Sequence, residues 1–400
     1  MTGYKTAGCI LLLALYHPLL AQSGEEFRVY KLWTGDAIPK ISAIPQLKHV
    51  KFRTIKKFQP DKDGYRFLHG VAITLYHHTL VTTFGHNRGG ENTGSEEANS
   101  RFSKNGKNWC TLVSVGGAGK VDSFAVSHGV LLNYRDTLWS FNASFHGIMQ
   151  DLHTKAYTWN EKKQEWEYKT IVAREGFWPL QEPVQMDNGE WIMAGASVTN
   201  GAIPAVAICN QNDFLHWRVI KVPLSVTVWG ESTVLVNGPN VLLISRSGTA
   251  TPKQPGYGYP LAWVSLSKDY GHTWSQLQPA NLPMADSKPY TGVLSTGQRY
   301  LIASISADGG SRRSPLTIAV SKPGEQTFSK LYVIRHAVHH NKKTESNPAA
   351  SLAYPYAMEY KKYLYVVYSN SGGRSGKDRS YWNNNSAELA IIPVRELSVK

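Results

Sequence analysis

Ser267-Lys-Asp-Tyr-Gly-His-Thr-Trp274 is the stretch on which the reading of this chain turns. It is a polar turn of the form Ser-x-Asp-x-Gly-x-Thr-Trp, closed by an aromatic residue. Looser copies stand at Ser103-Lys-Asn-Gly-Lys-Asn-Trp109, Asn160-Glu-Lys-Lys-Gln-Glu-Trp166, Asn210-Gln-Asn-Asp-Phe-Leu-His-Trp217 and Ser321-Lys-Pro-Gly-Glu-Gln-Thr-Phe328. Their closing aromatics are 57, 51, 57 and 54 residues apart. A period of this length marks a chain built from repeated units.

Between the turns lie pairs of strand-like runs. Pro183-Val-Gln-Met and Trp191-Ile-Met-Ala-Gly flank Asp187-Asn-Gly-Glu; Thr233-Val-Leu-Val and Val241-Leu-Leu-Ile-Ser flank Asn237-Gly-Pro-Asn. Asn-Gly between β-rich runs is a strong hairpin signal. No long helical periodicity occurs. Each unit therefore has two inner and two outer strands, the outer pair joined by the Asp-box turn. The fold class expected is an all-β β-propeller. Six units begin near Tyr65, Val121, Phe177, Val228, Lys288 and Tyr354. Further strands occur in residues 27–60 and at Glu388-Leu-Ala-Ile-Ile-Pro-Val394. Joined as a shared blade, they would close the ring and protect its edges. Seven blades are expected, with six as the alternative.

The chain has 400 residues and a formal net charge of +14. Lys5 and the apolar run Cys9-Ile-Leu-Leu-Leu-Ala-Leu-Tyr-His-Pro-Leu-Leu-Ala21 follow the order of a secretory signal, with cleavage after Ala21. Residues 1–21 are thus expected to be a signal peptide and 22–400 a single propeller domain, secreted or periplasmic. No later run approaches the roughly 20 apolar residues of a membrane span. The two remaining cysteines, Cys110 and Cys209, could bridge or stand as free thiols. No Cys/His spacing typical of structural zinc is present, and neither a metal nor a cofactor is expected. The positive balance points to an anionic partner. Lys and Arg are scattered rather than clustered, which favours an acidic plant-type glycan over nucleic acid, bound by a monomer.

In a propeller, loops leading into each inner strand share a face with loops leaving the second strand. On that front mouth the sequence places His69, Glu182, Trp229, Glu231, Tyr290 and Tyr356 on the way in. His86, Asn87, His146 and Arg246 lie on the way out, with Arg88 beside His86. His77, His78, Tyr134 and Arg135 fall on the opposite face. Phe67-Leu-His-Gly-Val-Ala-Ile73 and Thr83-Phe-Gly-His-Asn-Arg-Gly-Gly-Glu-Asn92 read as paired strands that bring His69 and His86 to one sheet edge. Imidazoles titrate near neutrality and can act as acid or base. An imidazole pair with a guanidinium suits β-elimination beside a uronic carboxylate: Arg246 neutralises the acid group while a neutral His removes the adjacent proton. Glu182 and Glu231 are the acidic candidates, and bonding to neighbouring backbone is the expectation for both. No isolated carboxylate pair for two-carboxylate glycoside hydrolysis stands out.

Phe67-Leu-His-Gly-Val-Ala72 and Phe84-Gly-His-Asn-Arg-Gly-Gly-Glu-Asn-Thr93, with the Asp-box turns, resemble the seven-bladed propeller enzymes that remove capping L-rhamnose from glucuronate. These act on arabinogalactan-type glycans and gum arabic and are similar in fold to the ulvan lyases. The resemblance implies two mechanisms. A rhamnose-α-1,4-glucuronate lyase would use His69, His86 and Arg246 in the front pocket, with Asn87, Arg88, His146, Trp229, Tyr290 and Tyr356 binding substrate. An α-L-rhamnosidase would use one rear-face histidine, for which His49 is the match. A non-catalytic glycan-binding propeller, with Trp178, Trp229 and Tyr290 as stacking platforms, is the third reading. The lyase is the expectation. Resemblance to sialidases is weaker, because neither an arginine triad nor a paired Tyr and Glu can be picked out.

Overall fold

Each of the five aromatic-terminated turns joins the third strand of a four-stranded sheet to its fourth. In the Ser267 copy the polar side chains replace missing backbone partners. Ser267 Oγ accepts from Gly271 N–H at 2.8 Å, and Asp269 Oδ1 accepts from Thr273 N–H at 2.9 Å. Trp274 donates its indole N–H to the Gly271 carbonyl at 2.8 Å. Trp166, Trp217 and Phe328, from three other copies, are buried. Burying an aromatic of this size stabilises by about 1.5–3 kcal/mol, so each of these three turns is also an anchor.

The computed structural model describes residues 28–338, 350–371 and 385–399, apart from residues 118, 120, 121, 200, 249, 250, 252, 255 and 258. The expected signal peptide lies outside the described residues. Blade 1 comprises Phe67–Tyr76, Thr79–Asn87, Glu96–Ser103 and Val113–Gly117; blade 2 comprises Ala125–Tyr134, Thr137–His146, Gln150–Asn160 and Glu165–Ala173. In blade 3 the inner strand is split into Phe177–Pro179 and Val184–Gln185, followed by Trp191–Thr199, Gly201–Cys209 and Arg218–Lys221. Blade 4 runs from Ser232 to Pro283 and blade 5 from Tyr290 to Arg335. Blade 6 takes Ser351–Tyr360, Tyr363–Ser371 and Ser386–Pro393 from the C-terminal end of the chain, and Lys51–Lys56 as its outermost strand. Inner strands pack blade against blade around the ring, the sixth against the first.

The ring therefore has six blades, the alternative count, and the expected seventh is corrected. Three C-terminal strands leave one unpaired edge, and Lys51–Lys56 fills it antiparallel to Ser386–Pro393. Residues 28–48 form no blade. They run outside blades 4 and 5, touching them through the isolated bridges Tyr30↔Ala280, Trp33↔Phe328 and Gln46↔Val333.

Blades 1, 2 and 6 share two local devices. Their inner hairpins turn through His77-His78, Arg135-Asp136 and Lys361-Lys362, all at positive φ, as tight two-residue turns require. Their inner strands each carry a bulge, between His69 and Ala72, between Val126 and Gly129, and between Ala353 and Tyr356. A bulge adds one residue to one strand and re-aims a side chain. Cys110 is exposed and Cys209 buried, and both are free thiols. No helix among the described residues is long and apolar enough to cross a membrane.

Candidate active site

The three bulges deliver His69, His128 and Tyr354 to one cavity of about 1290 Å³ at the front mouth. Blades 3, 4 and 5 complete its wall with Trp178, with Trp229, Glu231 and Arg246, and with Arg313. Tyr354 stands at φ +55, a region that bulky residues rarely occupy. Its hydroxyl donates to Glu231 Oε1. The same carboxylate accepts Arg246 Nη1 at 2.8 Å and Trp229 Nε1 at 3.2 Å. The Arg313 guanidinium lies 5.9 Å from the Tyr354 ring centroid, held by bonds to the Asp286 carbonyl. Burial, with the Glu231 charge beside it, pushes the Tyr354 phenol well above its ordinary value.

His69 packs against Tyr354, ring centroids 3.8 Å apart, with Nδ1 2.9 Å from Ser369 Oγ. His128 completes a triangle, 5.9 Å from His69 and 5.6 Å from Tyr354. Burial drives both imidazoles down, His69 well below its ordinary value, with His128, Arg313 and Arg246 adding to the effect. His128 falls to about 3 through burial and Lys288. Both are neutral at physiological pH. Beneath the mouth, the channel holds Glu182 and Lys288. Tyr290 Oη lies 2.7 Å from both Glu182 Oε1 and the Ala357 carbonyl. Lys288 donates to the Pro355 carbonyl at 2.7 Å. Burial lowers the Lys288 ammonium to about 7, against the opposing pull of Glu231 and Glu182.

The structure brings together His69, Trp178, Trp229, Glu231 and Arg246 of the residues singled out in the sequence, and several others need correction. His86 is not at the mouth. It pairs with Leu68, whereas His69 pairs with Gly85, so the two imidazoles leave opposite faces of the sheet. His86 instead stacks on Tyr65, ring centroids 3.5 Å apart. Asn87 is fully buried and organises the following loop, bonding Thr93, Ser95 and the Gly89 N–H. Arg88 stacks over Tyr65 and donates to the Asp63 carbonyl. His146 packs on Phe124, outside the cavity. Tyr290 and Tyr356 are buried in the channel rather than at the mouth. His49 is exposed, bonded to Glu396, and is not part of the front cavity's lining. Glu231 bonds side chains of the site, not merely neighbouring backbone.

Sequence reading missed Tyr354, His128 and Arg313. Tyr354 and Glu231 form a hydrogen-bonded pair that the sequence did not reveal. A signal for His128 was present: Leu68-His-Gly-Val71 recurs as Ser127-His-Gly-Val130 at the same point of the next blade. Among the described residues, no group of three His, Cys, Asp or Glu is placed to hold a metal ion.

A family model described as a BNR repeat-like domain matches residues 79–366. No curated protein matches the chain. Solved structures do. A protein of unknown function from Dyadobacter fermentans superposes with TM-score 0.61 at 13% identity, covering 87% of this chain and 99% of its own. The NanB sialidase from Streptococcus pneumoniae gives 0.62 at 9% identity, covering 86% and 71%. The GH93 α-L-arabinofuranosidase of Fusarium graminearum, in complex with arabinobiose, gives 0.56 at 14% identity, covering 86% and 98%. At these identities the likeness is one of fold.

Proposed function

The chain belongs to the BNR repeat-like domain family, and from that premise we propose that it is a carbohydrate-cleaving enzyme acting at the front mouth on an anionic glycan. One observation carries this reading: Tyr354, held at positive φ in a bulge, has its hydroxyl on the Glu231 carboxylate. Such backbone strain costs about 1–3 kcal/mol and persists where the surroundings impose it, most often at functional sites. A propeller shared with a sialidase and an arabinofuranosidase supports the substrate class.

The chemistry follows from the pair. A phenol is a weak nucleophile until a neighbouring base takes its proton. As Tyr354 Oη attacks the anomeric carbon, Glu231 receives the hydroxyl proton and Arg246 balances the charge on the carboxylate. The glycosidic bond breaks and the leaving oxygen takes up a proton delivered from solvent water. Water then hydrolyses the glycosyl-tyrosine. A tyrosine nucleophile is a known departure from the two-carboxylate scheme. It suits an acidic sugar, because a neutral phenol does not repel the carboxylate of the substrate. Arg246 and Arg313 supply guanidinium groups for that carboxylate.

Elimination is the second reading. Its support is the neutral His69 against Tyr354, beside the guanidinium of Arg246: a base, a proton donor and a charge neutraliser in one cavity. The resemblance to rhamnose-glucuronate enzymes names the linkage to try first. Incubation with a rhamnose-capped glucuronate glycan, and with sialyl and arabinofuranosyl substrates, separates the readings. Hydrolysis releases free sugar with no new ultraviolet absorbance; elimination leaves an absorbing unsaturated uronate. Tyr354→Phe is expected to lower turnover by about 10²–10⁴-fold or more. Unchanged turnover in a folded Tyr354→Phe protein would remove the tyrosine from the mechanism.

A further inference from the structure

A second hydrogen-bonded line reaches the cavity, and the Tyr354–Glu231 pair does not use it. Glu96, on the third strand of blade 1, is buried; its Oε2 accepts the Asn92 N–H at 3.0 Å and its Oε1 accepts the Ser127 hydroxyl. Ser127 Oγ lies 3.2 Å from His128 Nδ1. His128 lines the cavity, and its buried Nε2 has no hydrogen-bond partner among the described residues. Two glycines make room for the line. A Cβ on Gly85 would meet Glu96 Oε1 at 2.8 Å, and one on Gly70 would meet the His128 ring at 2.1 Å. Apolar residues could fill the same space without burying a carboxyl group.

We infer that Glu96, Ser127 and His128 form a proton relay serving the front mouth, in which His128 exchanges a proton with the substrate or its attacking water and Glu96 is the terminus. The inference rests on the mouth being the reaction centre. In one passage, an O–H of the substrate or water gives its proton to His128 Nε2. The Nδ1–H bond breaks and that proton moves to Ser127 Oγ, whose own proton moves to Glu96 Oε1. One O–H bond at the donor is replaced by one at Glu96, with no change in oxidation state. Run backwards, the relay protonates a leaving oxygen.

Direction and poise fit this duty. Burial, with Lys288, makes the His128 imidazolium unfavourable; the relay avoids it, because the ring loses one proton as it gains the other. Burial lifts Glu96 to about 7 against the lowering bonds from Ser127 and Asn92, and Glu91 raises it further. Glu91 and Lys288 are the charged groups bearing on the two ends, and His69 is the titratable neighbour of His128. When Glu96 is ionised, Ser127 donates to it and accepts from Nδ1–H. When Glu96 is protonated, it donates to Ser127, which donates to Nδ1, and the imidazole proton sits on Nε2. The state of Glu96 thus sets the tautomer of His128.

Nitrogen-15 NMR of the full chain, with labelled histidine, reads that tautomer directly. His128 is expected to pass from the Nε2–H to the Nδ1–H form as pH rises through neutrality. Glu96→Gln should hold the Nε2–H form throughout, since the glutamine carbonyl keeps the Asn92 N–H and its amide faces Ser127. Ser127→Ala should uncouple the ring from Glu96. Both variants should lower kcat by about 10²-fold or more with KM little changed. A His128 that keeps one tautomer across the neutral range, or ignores Glu96→Gln, overturns the relay. So does full activity in Glu96→Gln. Tyr354→Phe is the separate control. It should be inactive with the tautomer switch intact, and if it is active with the switch intact, the tyrosine mechanism fails while the relay stands.

Discussion

At the scale of single residues, Tyr354 and Arg246 show what the site asks of its parts. Tyr354 occupies a backbone region that costs a bulky residue energy, and what it gains is a hydroxyl seated on Glu231. Arg246 is almost fully buried and reaches the same carboxylate with one guanidinium nitrogen at 2.8 Å. His86 is a buried imidazole of a different kind. It stacks on Tyr65, meets Phe84 edge-on at 5.5 Å, and leaves Nδ1 without a hydrogen bond among the described residues. Its ring fills space that a phenyl ring would fill as well. His86→Phe is therefore expected to keep full turnover and to match or exceed the parent in melting temperature, because a buried unsatisfied polar atom is removed. Loss of activity in a stable His86→Phe protein would return this histidine to the mechanism.

At the scale of elements, the bulge is the feature that turns a strand into part of a site. Below the bulge of blade 1 the hairpin is regular: Tyr76 pairs with Thr79 and Ala72 with Thr83. Carried on without interruption, that register would set His69 directly opposite His86. The extra residue at Gly70 shifts it by one, so His69 meets Gly85 and His86 turns to the other face. Gly70 sits at φ +63 with the His128 ring where a Cβ would go. Gly70→Ala should consequently cost at least about 1 kcal/mol through the backbone alone. It should also displace His128 and impair turnover, measurable as a lowered melting temperature together with reduced kcat. An alanine variant with unaltered melting and turnover would show that the bulge is not required. The same shift explains what could be read from sequence. Strand pairs and turns announce themselves through Asn-Gly and alternating residues, and Trp229, Glu231, Arg246 and His69 were placed on the correct face. Tyr354 and Tyr356 share one alternation in the sequence, and only the bulge between Ala353 and Tyr356 sends the first to the mouth and the second into the channel. His128 stands in a bulge of its own, between Val126 and Gly129, but there the recurring His-Gly-Val left a signal in the sequence.

At the scale of the whole molecule, the repeat was legible and the closure only half so. Five turns of matching form fix the blade period, but no local pattern states that Lys51–Lys56 completes an existing blade rather than starting another. That depends on Ser386–Pro393 having a free edge, a contact between chain ends. What the closed ring then encloses sets its response to pH. His69 and His86 are held well below the ordinary histidine value, chiefly by burial, and His128 is lowered to about 3. For each, the unfolded chain takes up a proton near 6.5 that the folded protein refuses, so stability is lost as pH falls below that value. The slope per group approaches about 1.4 kcal/mol per pH unit, and for His128 the window extends down to about 3. His153 and His336, also lowered by burial, act in the same sense. Glu96 and Glu182 oppose them. Their raised values favour the folded state when protonated, a contribution present below 4.5 and, for Glu96, lost as pH rises through about 7. Three buried histidines against two carboxyl groups leave a net loss of stability on acidification between pH 6 and 5. Melting temperatures measured on either side of that interval should fall accordingly, and His86→Phe should make the fall shallower by one group. A melting temperature that stays level from neutral pH to pH 5 would mean that these imidazoles accept protons in the folded ring.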